Sequence, residues 1–122
     1  MKQQKFSTKK RMQSFTHAFN GLKVLITEEH NAWIHLLAMC FVVILGFVFK
    51  VSQAEWIALA FAIGFVLAME AVNSAIENLS DHVSPERHDL IKKVKDLGAA
   101  AVLISAITAF VVGLLIFIPK II

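Results

Sequence analysis

The segment Trp56–Asp81 constrains this chain more than any other, because it is an apolar run that contains carboxylates. Its sequence, WIALAFAIGFVLAMEAVNSAIENLSD, is long enough as a helix to cross a hydrocarbon core about 30 Å thick. Glu70, Asn73 and Glu77 lie within it at helical spacing, and therefore on one helix face. An ionised carboxylate near the bilayer centre costs roughly 2.5–3.5 kcal/mol, so such residues normally face a protein-lined or water-filled cavity. The segment predicts a transmembrane helix that carries the functional site.

The composition places the chain among integral membrane proteins. Hydrophobic residues make up 57% of the 122 residues, and the length predicts one domain over residues 1–122. The net charge of +3 comes from basic residues beside apolar segments, which membrane orientation and anionic headgroups explain better than nucleic acid. The lone Cys40 excludes a disulfide framework and a cysteine metal site. Ser52-Gln53-Ala54 resembles a cleavage site, but the segment before it is far too long for a signal peptide.

The predicted fold is all-α, with an N-terminal amphipathic helix on the membrane surface and three transmembrane helices. The surface helix covers residues 1–31, where apolar residues follow a helical period and lysines and an arginine supply charge. The transmembrane helices cover residues 32–49, 56–81 and 97–118.

Local signals predict where these helices begin and end. Asn20-Gly21 predicts a break or bend in the surface helix. Ser84-Pro85, as N-cap and first helical residue, predicts the start of a polar helix over Glu86–Asp96 that runs into the third span. Pro119-Lys120 is expected to end that span.

The distribution of lysine and arginine predicts the orientation in the membrane. Ten of these residues lie before the first span or between the second and third, and two lie on the other side. The ten are Lys2, Lys5, Lys9, Lys10, Arg11, Lys23, Arg87, Lys92, Lys93 and Lys95, and the two are Lys50 and Lys120. The positive-inside rule therefore predicts a cytoplasmic N-terminus and a cytoplasmic second connection.

Small residues recur at every fourth position in two of the predicted spans. One set is Ala60, Gly64 and Ala68, and the other is Ala101, Ser105, Ala109 and Gly113. Such stripes let helix backbones approach closely. Because three spans enclose a polar cavity poorly, we expect neighbouring subunits to complete it, although packing within one subunit is equally compatible with these stripes.

The charged residues near the predicted cytoplasmic boundary fit phosphoryl transfer. Glu29, Glu70, Glu77 and Asp96 supply carboxylates, and Lys95 supplies an ammonium group. Hard oxygen ligands suit Mg²⁺ rather than zinc. A carboxylate-bound Mg²⁺, a lysine and a further carboxylate that accepts a hydroxyl proton are what phosphoryl transfer requires. The chain has neither a GxxxxGK[ST] loop nor a GxGxxG motif, which excludes a P-loop or protein-kinase fold.

Two other classes compete with a kinase. A small proton-coupled transporter would also use an intramembrane Glu70, but it would not need Lys95-Asp96 beside it. A structural membrane subunit would need neither. For Asn73, a purely structural role in hydrogen bonding between helices stays open. Such a role is less expected for the two glutamates, because glutamine or serine would join helices at lower cost.

The polar motifs resemble the prokaryotic diacylglycerol kinase and undecaprenol kinase family. They are Glu70-Ala-Val-Asn73-Ser-Ala-Ile-Glu77-x-x-x-Asp81 and Lys95-Asp96-x-Gly-Ala-Ala-Ala-Val. Further similar motifs are Phe15-x-x-Ala18-x-x-Gly21, Glu29-x-Asn31-x-x-x-His35, Glu55-Trp56 and a closing Gly-Leu-Leu-Ile-Phe-Ile-Pro-Lys. The similarity covers nearly the whole chain.

The resemblance implies a homotrimer of such chains with active sites shared between subunits in the bacterial inner membrane. It implies ATP, Mg²⁺ and phosphorylation of a lipid hydroxyl. By position, Glu70 resembles the general base, Glu29 and Glu77 the metal ligands that also bind ATP, and Asn73 a residue that supports the catalytic centre and lipid substrate. The remaining implied ATP contacts are His17, Glu86, His88, Lys95 and Asp96, and Lys10 matches a basic position near the lipid.

Some positions favour the undecaprenol kinase branch of that family. Ala99 stands where the diacylglycerol kinase branch often has serine. The Glu29-x-Asn31, Ser84-Pro85-Glu86 and Pro119-Lys120 segments are more similar to the undecaprenol kinase branch. Alignment alone favours Glu29 over Glu28 as the metal ligand. Asp81 either caps the second span or orders Lys95, and both roles stay open.

Overall fold

The computed structural model describes residues 5–86 and 88–122, which form four helices. They are α1 (Thr8–Glu28), α2 (His30–Val48), α3 (Gln53–Val83) and α4 (Asp89–Ile121). The last three are each long and apolar enough to cross a membrane, which confirms the all-α membrane fold. Residues 1–4 of the predicted surface helix lie outside the described residues, as do Lys2 and Arg87 of the orientation count.

The first helix runs without interruption through Asn20-Gly21, so the predicted break is wrong. Ser7 caps its start, and glycine lowers helix stability by only about 1 kcal/mol, which the flanking turns offset. Five apolar side chains at helical spacing are exposed along it: Met12, Phe15, Phe19, Leu22 and Ile26. This apolar face is available to a membrane surface.

A single extended residue, Glu29, separates α1 from α2. It is at once the C-cap of α1 and the N-cap of α2, with φ −108° and ψ 111°. The indole nitrogen of Trp33 donates a 2.7 Å hydrogen bond to the carbonyl of Ile26 across this junction. The surface helix therefore ends at Glu28, three residues before the predicted end, and the first span begins at His30.

The turn from α2 to α3 is closed by backbone hydrogen bonds and a capping box. Lys50 has a positive φ of 51°. Its N–H donates to the Phe47 carbonyl, and the Val51 N–H donates to the Gly46 carbonyl, which is the Schellman pattern. Ser52 and Glu55 then exchange side-chain to backbone hydrogen bonds, so α3 begins at Gln53 rather than near Trp56.

The predicted helix start at Ser84-Pro85 is wrong. Helix α3 continues to Val83, and Ser84 is its C-cap, with its N–H bonded to the Ser80 carbonyl. The ring of His88 provides the N-cap of α4 instead, accepting from the Leu90 N–H at 3.1 Å. The predicted polar helix and the third span form one continuous helix that begins at Asp89. Glu86 and His88 therefore lie in the link between α3 and α4.

The third span also ends later than predicted. Pro119 lies inside α4, which continues to Ile121. The fixed φ of proline is close to the helical value, so Lys120 and Ile121 continue the helix although the N–H donor of residue 119 is lost.

Helix α3 is the centre of the bundle, packing most extensively against α4 and also against α2 and α1. An apolar core of Val51, Leu59, Ile116 and Phe117 lies at the end of the bundle formed by the α2–α3 turn and the end of α4. A 3.0 Å ion pair between Lys120 and Glu55 closes that end. The polar residues of α3 lie toward the other end, where α1 meets α2.

The two stripes of small residues have different environments. On α4, Ser105 is completely buried, and Ala101, Ala109 and Gly113 are half-buried. On α3, the stripe of Ala60, Gly64 and Ala68 is exposed. The α4 stripe is therefore covered within the chain, whereas the α3 stripe is not.

Candidate active site

Glu70 is the most deeply buried charged residue of the described chain. It lies on α3 with 1% of its surface exposed, and Oε2 has no hydrogen-bond partner among the described residues. Nε2 of His35, on α2, lies 3.4 Å from that oxygen, close enough for an ion pair. A buried carboxylate with incomplete hydrogen bonding is costly rather than stabilising. Glu70 is therefore a candidate functional residue.

The loop residue Glu29 is held against α3 by a short hydrogen bond. Ser74 Oγ donates to Glu29 Oε1 at 2.6 Å, and Ser74 itself is buried. Glu29 is half-buried, whereas its neighbour Glu28 is exposed. Since only Glu29 is fixed in the bundle in this way, the structure brings Glu29, not Glu28, to the α3 polar face.

Asn73 and Glu77 form the next turn of that face. Asn73 Nδ2 donates to Glu77 Oε1 at 3.4 Å, and Asn73 Oδ1 is buried without a hydrogen-bond partner in residues 5–86 and 88–122. A Cβ at Gly98 would lie 2.5 Å from that Oδ1. The absence of a side chain at Gly98 therefore lets α4 approach Asn73 closely.

Glu70 and Glu77 are two turns apart on α3, and Ser74 between them holds Glu29, so these three acids lie along one polar face of α3. The carboxylate of Asp96 pairs with Lys92 at 2.7 Å on the exposed side of α4. The i,i+4 spacing of these two residues on one helix face favours that pair. The convergence of all four acids at one site stays a prediction.

A second polar site lies at the link between α3 and α4. Lys95 Nζ is 2.5 Å from Asp81 Oδ1, so Asp81 orders Lys95 and does not cap α3. A cavity of about 380 Å³ lies beside this pair. Its lining includes three of the predicted ATP contacts, Glu86, His88 and Lys95.

The two predicted site residues on α1 are exposed and lie toward its beginning. His17 precedes Glu29 by twelve positions, or about 18 Å along a helix axis, and Lys10 lies almost two turns further away. The fold of a single chain therefore leaves Lys10 and His17 away from the junction at which Glu29 lies.

An apolar cavity of about 480 Å³ lies between α2, α3 and α4. His35 lines one end, next to Glu70, and Ile121 lines the other. The cavity therefore leads from the buried carboxylate toward the opposite end of the bundle.

The donor set fits Mg²⁺ only with help from a substrate. Over residues 5–86 and 88–122, no three His, Cys, Asp or Glu side chains are close enough together to hold a metal ion. Glu77 on α3 and Glu29, which Ser74 of α3 holds, are two carboxylates that each have one oxygen hydrogen-bonded. Mg²⁺ typically takes one or two carboxylates and completes its octahedron with waters and substrate phosphates. This pair fits that pattern.

Sequence reasoning missed His35 as a neighbour of Glu70 and Ser74 as the partner of Glu29. Both pairs join residues that are far apart in the chain, 35 and 45 positions. The only available signal was that His35 and Ser74 belong to the same motifs as Glu29 and Glu70.

Comparison with known proteins identifies the family. The sequence model described as prokaryotic diacylglycerol kinase matches residues 16–117. The chain belongs to the prokaryotic diacylglycerol kinase family. The relatives of this chain are named as lipid kinases, and the chain is therefore a membrane lipid kinase.

The relatives of this diacylglycerol kinase family member carry two different names. Undecaprenol kinase of Bacillus subtilis (strain 168) is 38% identical over 107 residues, covering 88% of this chain and 87% of that protein. Diacylglycerol kinase of Haemophilus influenzae is 30% identical over 106 residues, covering 85% and 90%. Diacylglycerol kinase of Escherichia coli (strain K12) is 31% identical over 95 residues, covering 78% of each.

Proposed function

We propose that this protein transfers the γ-phosphate of ATP to the hydroxyl group of a membrane lipid, with Mg²⁺ as cofactor. The observation that supports this most strongly is the buried carboxylate of Glu70, which shares one face of α3 with Glu77 and with Ser74, the residue that holds Glu29. Phosphoryl transfer needs a proton acceptor at the nucleophile and cation-binding carboxylates at the phosphates. The cluster supplies both.

Glu70 is the general base in this proposal. Its carboxylate accepts the proton of the lipid hydroxyl while the hydroxyl oxygen forms a bond to the γ-phosphorus. The bond between that phosphorus and the oxygen of the β-phosphate breaks, and ADP leaves with the electron pair. A base in this role must lie within hydrogen-bond reach of the hydroxyl. Asn73, whose buried Oδ1 lies one turn away, supports the acceptor.

Glu29 and Glu77 hold the cation in this proposal. When held there, Mg²⁺ would supply positive charge to the phosphates of the nucleotide. Ser74 holds one oxygen of Glu29 by a hydrogen bond, and Asn73 holds one oxygen of Glu77. The other oxygen of each carboxylate is thereby oriented by α3. Second-shell hydrogen bonds of this kind orient metal ligands.

The cavity beside Lys95 binds the nucleotide in this proposal. Lys95 and His88 carry donors that suit phosphate oxygens and an adenine ring, and Glu86 offers acceptors. Asp96 joins this site by holding Lys92, and His17 and Lys10 approach nucleotide and lipid from α1. Because both residues are exposed on α1, they contribute to the active site of a neighbouring subunit in this proposal.

The acceptor lipid is undecaprenol rather than diacylglycerol in this proposal. The Bacillus subtilis undecaprenol kinase shares 38% identity, against 30–31% for the diacylglycerol kinases of Haemophilus influenzae and Escherichia coli. The apolar cavity that leads away from Glu70 past His35 suits a hydrocarbon chain whose hydroxyl lies at the carboxylate.

The assembly is a homotrimer with shared active sites in this proposal. The exposed stripe of Ala60, Gly64 and Ala68 on α3 supports contact between subunits, because small residues favour close helix packing in membranes. The site faces the cytoplasm of a bacterial inner membrane, as the excess of lysine and arginine on that side indicates.

Phosphorylation assays in mixed micelles test the proposed function. Purified protein should consume ATP only when a lipid alcohol is added, and chelation of Mg²⁺ should stop the reaction. Undecaprenol should give the higher kcat/KM in side-by-side assays with diacylglycerol, and the reverse order would change the acceptor. Lipid-independent ATP consumption, or proton-coupled uptake in liposomes without phosphorylated lipid, would overturn the kinase mechanism.

A further inference from the structure

We propose that His35 is a positioning residue that orients the Glu70 carboxylate through Oε2. The inference rests on the proposed function, because it assigns a role relative to the general base. It adds a residue on α2 to a site whose other members lie on α3 and in the loop before α2.

The geometry requires a donor at this oxygen. Glu70 Oε2 is buried and has no hydrogen bond from the described residues, and a buried acceptor of this kind is costly to leave unpaired. Nε2 of His35 is the ring nitrogen that faces it, at 3.4 Å. The two other carboxylates of the proposed site, Glu29 and Glu77, can only accept hydrogen bonds when ionised.

The 3.4 Å between His35 Nε2 and Glu70 Oε2 is slightly longer than a strong hydrogen bond. Catalytic hydrogen bonds are often long without substrate and shorten in the reactive complex. His35 keeps 21% of its side chain exposed, toward the apolar cavity, whereas the Glu70 side chain keeps 2%. A small rotation of the imidazole converts the 3.4 Å contact into a charge-assisted bond of about 2.8 Å.

Such a bond would give the two carboxylate oxygens of Glu70 different roles. Oε2 is held by His35, and Oε1 is left to accept the proton of the lipid hydroxyl. Because a misplacement of about 1 Å at a reacting group can lower the rate about 100-fold, orientation of this carboxylate should appear in kcat. Mg-ATP does not contact His35 in this role, and His35 is only one of many residues that line the cavity proposed for the lipid chain, so both KM values should change little.

A series of variants in mixed micelles tests the proposal with lipid alcohol and Mg-ATP varied separately. His35→Leu should lower kcat about 10- to 100-fold with both KM values within about twofold of wild type. His35→Gln should restore most of kcat, because its amide nitrogen reaches the position of Nε2, whereas His35→Asn should not, since its amide reaches only the position of Nδ1. Ile34→Leu, at the adjacent position of α2 but exposed and outside that cavity, is the control and should keep wild-type kcat.

The double variant separates positioning from packing. In a Glu70→Gln background, adding His35→Leu should cause no further loss, because two residues that act as a unit are non-additive. Full kcat for His35→Leu, a loss confined to the lipid KM, or a further loss in the double variant would each overturn the inference. If His35→Leu does not fold by its melting temperature in micelles, equal activities of the Gln and Asn variants would overturn it. A wild-type protein inactive toward every lipid alcohol would overturn the proposed function instead.

Discussion

Ser74 Oγ donates a 2.6 Å hydrogen bond to Oε1 of Glu29, so helix α3 holds the single residue that separates α1 from α2. The bond fixes a loop carboxylate to the face of α3 that carries Glu70 and Glu77. The position of the surface helix and the geometry of the proposed cation site are thus linked through one serine.

Removal of that hydroxyl should weaken Mg-ATP binding. Because hydrogen bonds to charged groups contribute about 1.5–3 kcal/mol, Ser74→Ala should raise the KM for Mg-ATP by about tenfold or more and leave the lipid KM unchanged. Ser105→Ala is the control, since that serine is also buried and its hydroxyl donates to the Val102 carbonyl of its own helix. Steady-state kinetics with each substrate varied would contradict the linkage if only the lipid KM changed.

A methyl group at Gly98 should disturb catalysis more than folding. A Cβ there would lie 2.5 Å from Asn73 Oδ1, so Gly98→Ala must displace that amide and its hydrogen bond to Glu77. We expect kcat to fall about tenfold or more, because small misplacements at a reacting centre are costly, while the melting temperature changes little. Gly64→Ala, where a Cβ meets nothing within 4 Å, should remain fully active. Equal activity of the two variants would argue against the role of Asn73.

The exposed stripe on α3 should mediate assembly. Gly64→Leu adds a bulky side chain where helices of neighbouring subunits are proposed to approach closely, so it should shift the protein from homotrimer to smaller species. Gly64→Ala should preserve the trimer as the graded control. Light scattering in detergent measures the mass directly, and an unchanged trimer in Gly64→Leu would exclude this face as the interface.

Asp81 should act on nucleotide binding through Lys95. Both side chains are largely exposed, at 65% and 39%, so removal of the pair changes stability by at most about 1 kcal/mol. Asp81→Ala should raise the KM for ATP about two- to fivefold by releasing Lys95 from its position. Asp89→Ala, in the first turn of α4, is the charge-matched control. A lower KM in Asp81→Ala would show that Asp81 competes with phosphate for the lysine.

The transmembrane architecture was predictable because it depends on composition along the chain. Apolar runs of sufficient length indicate spans whatever their neighbours are, and all three predicted spans are present. Helix ends were less predictable, because several residues near an end can act as the cap. Helix α3 continues to Val83, so Ser84 caps its C-terminus and His88 provides the N-cap of α4.

The site was predictable where its members share one helix face. Glu70, Asn73 and Glu77 could be placed together because helical spacing alone determines it. The contacts of His35 with Glu70 and of Ser74 with Glu29 depend on packing between distant segments, which spacing does not determine. The pairing of Asp96 with Lys92 was not predicted either, although their i,i+4 spacing on α4 allows it.

Glu70 and Glu77 should differ in what their loss removes, because one is proposed to meet the lipid hydroxyl and the other the cation. Loss of a general base typically lowers the rate about 10²–10⁴-fold, so Glu70→Gln should depress kcat with little change in Mg-ATP affinity. Glu77→Gln should abolish activity by weakening Mg-ATP binding, while the protein stays folded in micelles.

Titration calorimetry of Mg-ATP binding to these two variants, alongside wild type, tests the central claim most directly. Retained binding by Glu70→Gln and lost binding by Glu77→Gln is the predicted result. Lost binding by Glu70→Gln with binding retained by Glu77→Gln would contradict the assignment of both residues.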